Sequence, residues 1–441
     1  MNVIDRFADK LMPIMAKVSS QRHLVAIRDS FIETMPLIMA ASLMTLLNAL
    51  VFTNESIAHI VDLGYLSRLA IIITNGTMNI MAIIVAYQIG SNLAKEYIRR
   101  GFINDPAFSE LHSGVLAVGA MFIVMPLETL VTLTDGTTAT ATGVYSTALT
   151  SSSGVATAMI CGLISTELFC RLARVNCFKI KMPDGVPPAV AKSFNSLIPE
   201  MLVVLLFGIL VYALDTFTGY SVPQLIELAI QLPLKGLVLS VGGMLGLQFV
   251  SDTLWVFGMH GSSILAPIRQ APMLEALQEN MLALQHGAPI PNIITENFTN
   301  AFGLIGGGGC ILPLTIALFI SSRRPDYRKI AKLGVTTTLF NITEPVMFGL
   351  PVVLNPVFMI PCAIIPSINL IIAYACTAVG IIGRISVSAP WVTPPVLQTY
   401  IASSGDIPAT ILTVLLIGLD IVLFLPFVIA SNRTMKVEAN V

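Results

Sequence analysis

Apolar positions along this chain form long unbroken runs, and the charges collect in the short stretches between them. Thr34 to Phe52, Ala70 to Ala94, Gly136 to Thr166, Asn297 to Ser322 and Pro345 to Gly383 contain no Asp, Glu, Lys or Arg. A membrane-spanning helix needs about 20 such residues, so each run predicts at least one crossing. Leu111 to Leu127, Met201 to Leu214 and Gly236 to Ser251 are shorter, and the segment from Ile407 onward is interrupted only by Asp420. These span once a polar group is snorkelled or paired. The pattern predicts about eight to ten helical crossings, an all-α polytopic membrane protein.

Composition sharpens this picture. Of 441 residues, 55% are apolar and 11% charged, against about a quarter charged in ordinary globular chains. Mean hydropathy is +0.83. A net charge of −1 excludes an electrostatic nucleic-acid binder. Arg6, Lys10, Lys17, Arg22 and Arg28 are spread through a comparatively polar start with no short apolar core and cleavage site, so no cleaved signal peptide is expected. The six cysteines are scattered, without C-x-x-C or a Cys/His cluster, and are expected to be reduced structural thiols rather than metal ligands.

Basic residues set the expected topology. Lys95, Arg99 and Arg100; Arg171, Arg174, Lys179, Lys181 and Lys192; Arg323, Arg324, Arg328, Lys329 and Lys332; and Arg433 and Lys436 join the N-terminal cluster on the cytoplasmic side. Thr53 to Ser67 and Leu130 to Thr142 carry no Lys or Arg and are expected to be external loops. The first four crossings then fall near 31–52, 70–93, 111–129 and 145–168, with both termini inside. The stretch Cys177 to Asn195, with Pro183, Asp184-Gly185 and Pro187-Pro188, reads as a linker. The expected organisation is a cytoplasmic segment over 1–30, an N-terminal bundle over 31–195, a second membrane domain over 196–432 and a cytoplasmic tail over 433–441.

The second half is interrupted in two places. Pro345 to Gly383 is 39 uncharged residues, punctuated by Pro345, Pro351, Pro356, Pro361 and Pro366. Each proline removes a backbone donor and clashes with the preceding turn, which predicts a broken or re-entrant segment near 335–360. Irregular backbone at membrane depth is tolerated only inside protein or beside a wet cavity. Gly306-Gly307-Gly308-Gly309 predicts a second break near 292–312; the glycines suit either close approach of backbone to a ligand or a tight helix crossing. Ile294-Thr295-Glu296 precedes the glycine run as Ile342-Thr343-Glu344 precedes the proline-rich one, a weak repeat that places a carboxylate at the start of each broken stretch.

Glu344, with 11 uncharged residues before it and 39 after, is an intramembrane carboxylate and by default a binding residue. His260 closes Trp255-Val-Phe-Gly-Met-His260, where it serves either as a helix-end group or as a partner for a hydroxyl. The chain has only two tryptophans, Trp255 and Trp391, suited to interfacial anchoring or to stacking on a sugar ring. With Glu296, Asn300, Asn341 and Thr343 they give carboxylate, imidazole, amide and indole, a set that describes a carbohydrate site better than an ion site. Nucleotide, zinc-protease, serine-hydrolase and dinucleotide motifs do not occur, and no cofactor or metal is called for.

Asn341-Ile-Thr-Glu-Pro-Val-Met-Phe-Gly-Leu-Pro-Val-Val-Leu-Asn-Pro356 is a highly specific run. Together with Trp255-Val-Phe-Gly-Met-His-Gly261, Pro390-Trp-Val-Thr-Pro-Pro395 and Gln21-Arg-His-Leu-Val-Ala-Ile-Arg-Asp29 it resembles the lactose/cellobiose/diacetylchitobiose family of phosphotransferase-system enzyme IIC permeases. The resemblance implies a bacterial inner-membrane homodimer with about ten transmembrane helices and two re-entrant hairpins per subunit, a dimer-interface role for 31–195 and an elevator-type transport domain in 196–432. It implies import of a disaccharide, with His260 and Glu344 as catalytic residues holding the hydroxyl to be phosphorylated and Trp255 and Trp391 flanking the rings. The phosphoryl donor would be a phosphocysteine on IIB, expected on a separate polypeptide and fed by IIA and the general phosphotransferase proteins. Two departures, Cys310-Ile311-Leu312-Pro313 after the glycines and Thr343 where asparagine is frequent, bear on the identity of the sugar.

Two other readings use the same residues. An ion-coupled secondary sugar transporter would make Glu344 a proton or sodium site and needs no IIB. A membrane-embedded enzyme or scaffold would bind no sugar at all.

Overall fold

The computed structural model describes residues 17, 20–53, 63–105, 108–132, 137–180, 183, 185–350, 352 and 355–438. Most of the expected N-terminal segment, the last residues of the tail, the middle of the 53–67 loop, Asp184 and Pro351 lie outside the described residues. The chain is predominantly helical. Among the described residues six helices are long and apolar enough to cross a membrane: Arg22–Leu47, Gly64–Arg99, Ser152–Leu172, Lys192–Thr218, Val357–Ala378 and Ile407–Asn432. A seventh follows if the bent pair Val222–Val238 and Val241–Val256 forms one span, and Glu110–Val124 and Ile311–Ser321 are shorter apolar helices.

Two compact units make up the chain. One contains 20–38 and 74–235, and it is organised by Met81–Arg99, Glu110–Val124 and Val155–Leu172 packing on one another. Without a solvent-driven hydrophobic effect between helices, close approach depends on small residues. A Cβ at Gly90 would lie 2.7 Å from both Ala117 Cβ and the Ser113 carbonyl, and one at Gly114 would lie 2.7 Å from the Tyr87 ring. Ser113 Oγ donates to Thr166 Oγ1 at 3.2 Å within this packing. Glu167 gathers Arg22 at 2.9 Å, His23 at 3.0 Å and Arg171 at 2.7 Å, while the Arg22 guanidinium stacks 4.6 Å from the Tyr97 ring.

The stretch Cys177 to Asn195 lies inside this unit, and the chain leaves it at 235/236. The physical reason is that the helix Pro188–Thr218, which begins within that stretch, packs on Glu110–Val124 and Val155–Leu172. The expected loop Leu130 to Thr142 contains an antiparallel hairpin, Glu128–Thr132 with Thr138–Thr142, in register from Glu128 opposite Thr142 to Thr132 opposite Thr138. Alternating β-branched threonines favour this pleated form.

The other unit contains 39–73 and 236–441. Val241–Val256 packs on Pro356–Ala378, and Ile311–Ser321 lies between Pro325–Leu339 and Ile407–Glu438. Phe298, Phe302, Phe358 and Phe424 are fully buried in its core. Both expected interruptions are present. After Glu296–Phe298 the backbone widens into a π turn, Thr299–Gly303, and then reverses through the glycines before Ile311–Ser321 begins. Gly306, Gly307 and Gly309 have φ of +75, +92 and +80°, a region open chiefly to glycine, so the glycines form a turn rather than a helix crossing.

In the proline-rich run the break is narrower than the prolines imply. Helix Pro325–Leu339 ends, Glu344–Gly349 forms little more than one turn, and Pro356 opens a continuous helix to Ala378 with Pro361 and Pro366 inside it. Neighbouring structure in a membrane helix can satisfy the groups a proline releases.

Candidate functional site

The site residues lie in the unit containing 39–73 and 236–441, and their positions follow from the helix ends. Helix Val241–Val256 finishes in a turn in which the Gly258 amide donates to the Trp255 carbonyl at 2.8 Å, with Gly258 at φ +81°. Two residues later His260 caps the next helix, Gly261–Gln285. Its Nδ1 accepts from the Ser263 amide at 3.2 Å and faces Ser263 Oγ at 2.9 Å. An Nδ1 that accepts a backbone N–H cannot carry the proton itself, so this hydrogen-bond pattern assigns the neutral ring's proton to Nε2. The helix-end role thus falls to Nδ1, and Nε2 carries the ring N–H. Trp255 is buried, and its ring centroid is 4.5 Å from that of His260 at an interplanar angle of 48°.

Glycine is required where the loop meets these groups. A Cβ at Gly308 would fall 2.4 Å from Trp255 Nε1, and one at Gly307 would fall 2.2 Å from Thr343 Cγ2 and 2.7 Å from the Asn341 carbonyl. The glycine turn therefore touches the indole on one side and the Asn341–Thr343 segment on the other. Asn341 is itself left-handed, at φ +61°, a conformation asparagine adopts more readily than most residues. Its Nδ2 donates to the Trp391 carbonyl and, at 3.0 Å, to that of Thr393. Its Oδ1 is buried without a partner among the described residues. Thr343 is buried and turns the chain into the short helix whose first residue is Glu344.

Glu344, His260 and Trp391 are exposed. Trp255, His260, Asn341, Thr343 and Trp391 are therefore linked by direct contacts or through the glycine turn, with Glu344 next in sequence to Thr343. Glu296 and Asn300 are half-buried on the Glu296–Gly303 segment. Between them, Asn297 carries a role that sequence reasoning missed: its Nδ2 donates to the Ala389 carbonyl at 3.1 Å. The loop that presents Trp391 is held from two directions, by Asn297 beside one Ile-Thr-Glu segment and by Asn341 beside the other. The repeat was visible in the sequence, but its shared target was not.

Chemically, this neighbourhood offers a ring N–H donor, an acceptor carboxylate, two indoles and a glycine turn that admits close contact. Such a set suits a neutral polyol. Among the described residues no group of three or more His, Cys, Asp or Glu could hold a metal ion.

The family model for the phosphotransferase system, EIIC, matches residues 28–366. The chain is 31% identical to the cellobiose-specific EIIC component of Lactococcus lactis, with all of both chains covered. It is 30% identical to the lichenan permease IIC component of Bacillus subtilis, covering 100% of this chain and 96% of that one. Its fold is similar to the crystal structure of the transporter ChbC, the IIC component from the N,N'-diacetylchitobiose-specific phosphotransferase system, with a TM-score of 0.88 at 30% identity over 98% of this chain and 99% of that one. A predominantly helical membrane chain that matches this family over most of its length and this fold over nearly all of it belongs to the phosphotransferase-system EIIC family, and is the membrane permease component of a sugar phosphotransferase system.

Proposed function

We propose that the sugar is a β-linked disaccharide of the cellobiose or diacetylchitobiose class, bound beside the glycine turn with Trp255 and Trp391 against its apolar ring faces. The observation that carries this reading is the set of contacts joining Trp255, His260, the glycine turn and the Asn341–Glu344 segment. His260 Nε2–H donates to the hydroxyl that will be phosphorylated, and the Glu344 carboxylate accepts its proton. The hydroxyl oxygen attacks phosphorus in line: the P–O bond forms, the P–S bond of the IIB phosphocysteine breaks, and the cysteine leaves as thiolate. The product's added charge disfavours a site built from indoles and glycine, so the phosphorylated sugar is released and does not return.

The protein works as a homodimer with both termini cytoplasmic, where the basic clusters lie and where IIB docks. The unit containing 20–38 and 74–235 provides the fixed dimer-forming part, and the other unit carries the sugar. Purified protein titrated with cellobiose, diacetylchitobiose and lactose, then assayed with phosphorylated IIB, tests the site. Glu344→Gln should lower the phosphorylation rate at saturating sugar by about 10²-fold or more, and His260→Ala should weaken sugar binding as well. If both variants bind sugar and accept the phosphoryl group at the native rate, the assignment is wrong.

A further inference from the structure

Two intramembrane carboxylates take no part in the chemistry above. Asp252 lies one turn before Trp255 in helix Val241–Val256, and Asp420 lies within Ile407–Glu438; both are 0% exposed. An acid buried inside a membrane-spanning helix is costly and usually marks function. Both acids reach the same short piece of chain. Gln248 Nε2 donates to Asp252 Oδ2 at 2.8 Å, and the Gly309 amide is directed at the same carboxylate. Asn369 Nδ2 donates to Asp420 Oδ2 at 2.8 Å and to Cys310 Sγ at 3.6 Å, while the Cys310 thiol points to the Gly303 carbonyl at 3.6 Å.

Gly309 and Cys310 are consecutive left-handed residues, at φ +80 and +55°. For cysteine this conformation is unfavourable and persists only where its surroundings hold it. The groups gathered here are donors: the Gly309 amide and the side-chain amides of Gln248 and Asn369. Each carboxylate accepts through Oδ2, while its Oδ1 is buried without a hydrogen-bond partner among the described residues. The opposite side of the turn contacts Trp255 through Gly308 and the Asn341–Thr343 segment through Gly307.

We propose that Asp252 and Asp420 are positioning residues: they brace the Gly306–Cys310 turn from its buried side, fix the seats of Trp255 and the Asn341–Thr343 segment on the other, and so set sugar affinity without touching the sugar. The inference rests on the sugar site proposed above. Its test uses the full-length protein in lipid nanodiscs, with Asp252→Asn and Asp420→Asn each compared with wild type. Three readouts are taken: sugar Kd, IIB-dependent phosphorylation at saturating sugar, and hydrogen exchange across 303–310 and 407–432.

The expected result is a Kd raised by at least about tenfold, the loss of roughly one tenfold step in affinity when the seat of Trp255 loosens. The saturated phosphorylation rate stays within a few-fold of wild type, and exchange quickens at 303–310 but not at 407–432. An unchanged Kd with unchanged exchange in the folded variants overturns the proposal. So does a lower saturated rate at unchanged Kd, which would make the acids direct participants in phosphoryl transfer. If wild type binds none of the three disaccharides, the sugar-site reading has failed, and the exchange data alone decide whether the brace exists. Should the asparagine variants not fold, Gln248→Met leaves the carboxylate in place, removes the amide that orients it, and is judged by the same readouts.

Discussion

Gly308→Ala isolates the contact between the glycine turn and Trp255. The added Cβ would stand 2.4 Å from Nε1 and 2.5 Å from Cδ1 of the indole. Ordinary contact begins at 3.4 Å, so the two groups must separate by 3.4 − 2.4 = 1.0 Å. Backbone conformation does not oppose alanine here, because Gly308 lacks the positive φ of Gly306, Gly307 and Gly309. Nor can the rigid, buried indole yield as a flexible side-chain end would. Overpacking of this kind costs about 1–3 kcal/mol. If the indole moves rather than the turn, its displacement carries it off the sugar ring, and affinity should fall about 10- to 100-fold.

The assay is a sugar titration by isothermal calorimetry alongside thermal unfolding in the same detergent. Gly246→Ala, in the same helix as Trp255 and with nothing within 4 Å of its added Cβ, serves as the control. It should leave affinity unchanged and raise stability by up to about 1 kcal/mol through helix propensity. A folded Gly308→Ala protein whose Kd lies within about twofold of wild type, under half a kcal/mol, would refute the claim that this contact seats the indole.

Two further outcomes follow from the other unit. Glu167→Gln leaves Arg22, His23 and Arg171 around an uncharged amide and should destabilise the protein by about 1–3 kcal/mol; an unfolding temperature equal to wild type would show that these contacts are energetically idle. Cys177 is the one exposed thiol among the six free cysteines, so a membrane-impermeant maleimide should label it in inside-out vesicles and not in right-side-out ones. Labelling from the outside would reverse the proposed topology.

Much of this architecture could be read from residue patterns because a bilayer restricts the choices. Uncharged runs such as Ala70–Ala94 must become helices to satisfy their backbone, and the glycine and proline runs had to interrupt them. Long-range partners were less accessible. That Asn297 and Asn341 hold one loop depends on how residues 92 and 52 positions away return in space, which no local pattern encodes. The boundary at 235/236 was hidden for a similar reason: the polar, proline-rich stretch 177–195 has the composition of a linker, yet the helix that starts within it is claimed by packing partners. Proline counting overstated the disorder of Pro356–Ala378, since tolerance of Pro361 and Pro366 depends on surrounding helices rather than on the segment itself.

The two asparagines that hold the 389–393 loop grip only carbonyl oxygens. Every amino acid supplies that atom, so the fastening is indifferent to which side chains the loop displays. Positions 391 and 392 can therefore be exchanged while the polypeptide path stays put, which makes this strap a compact target for a saturation library aimed at redirecting uptake.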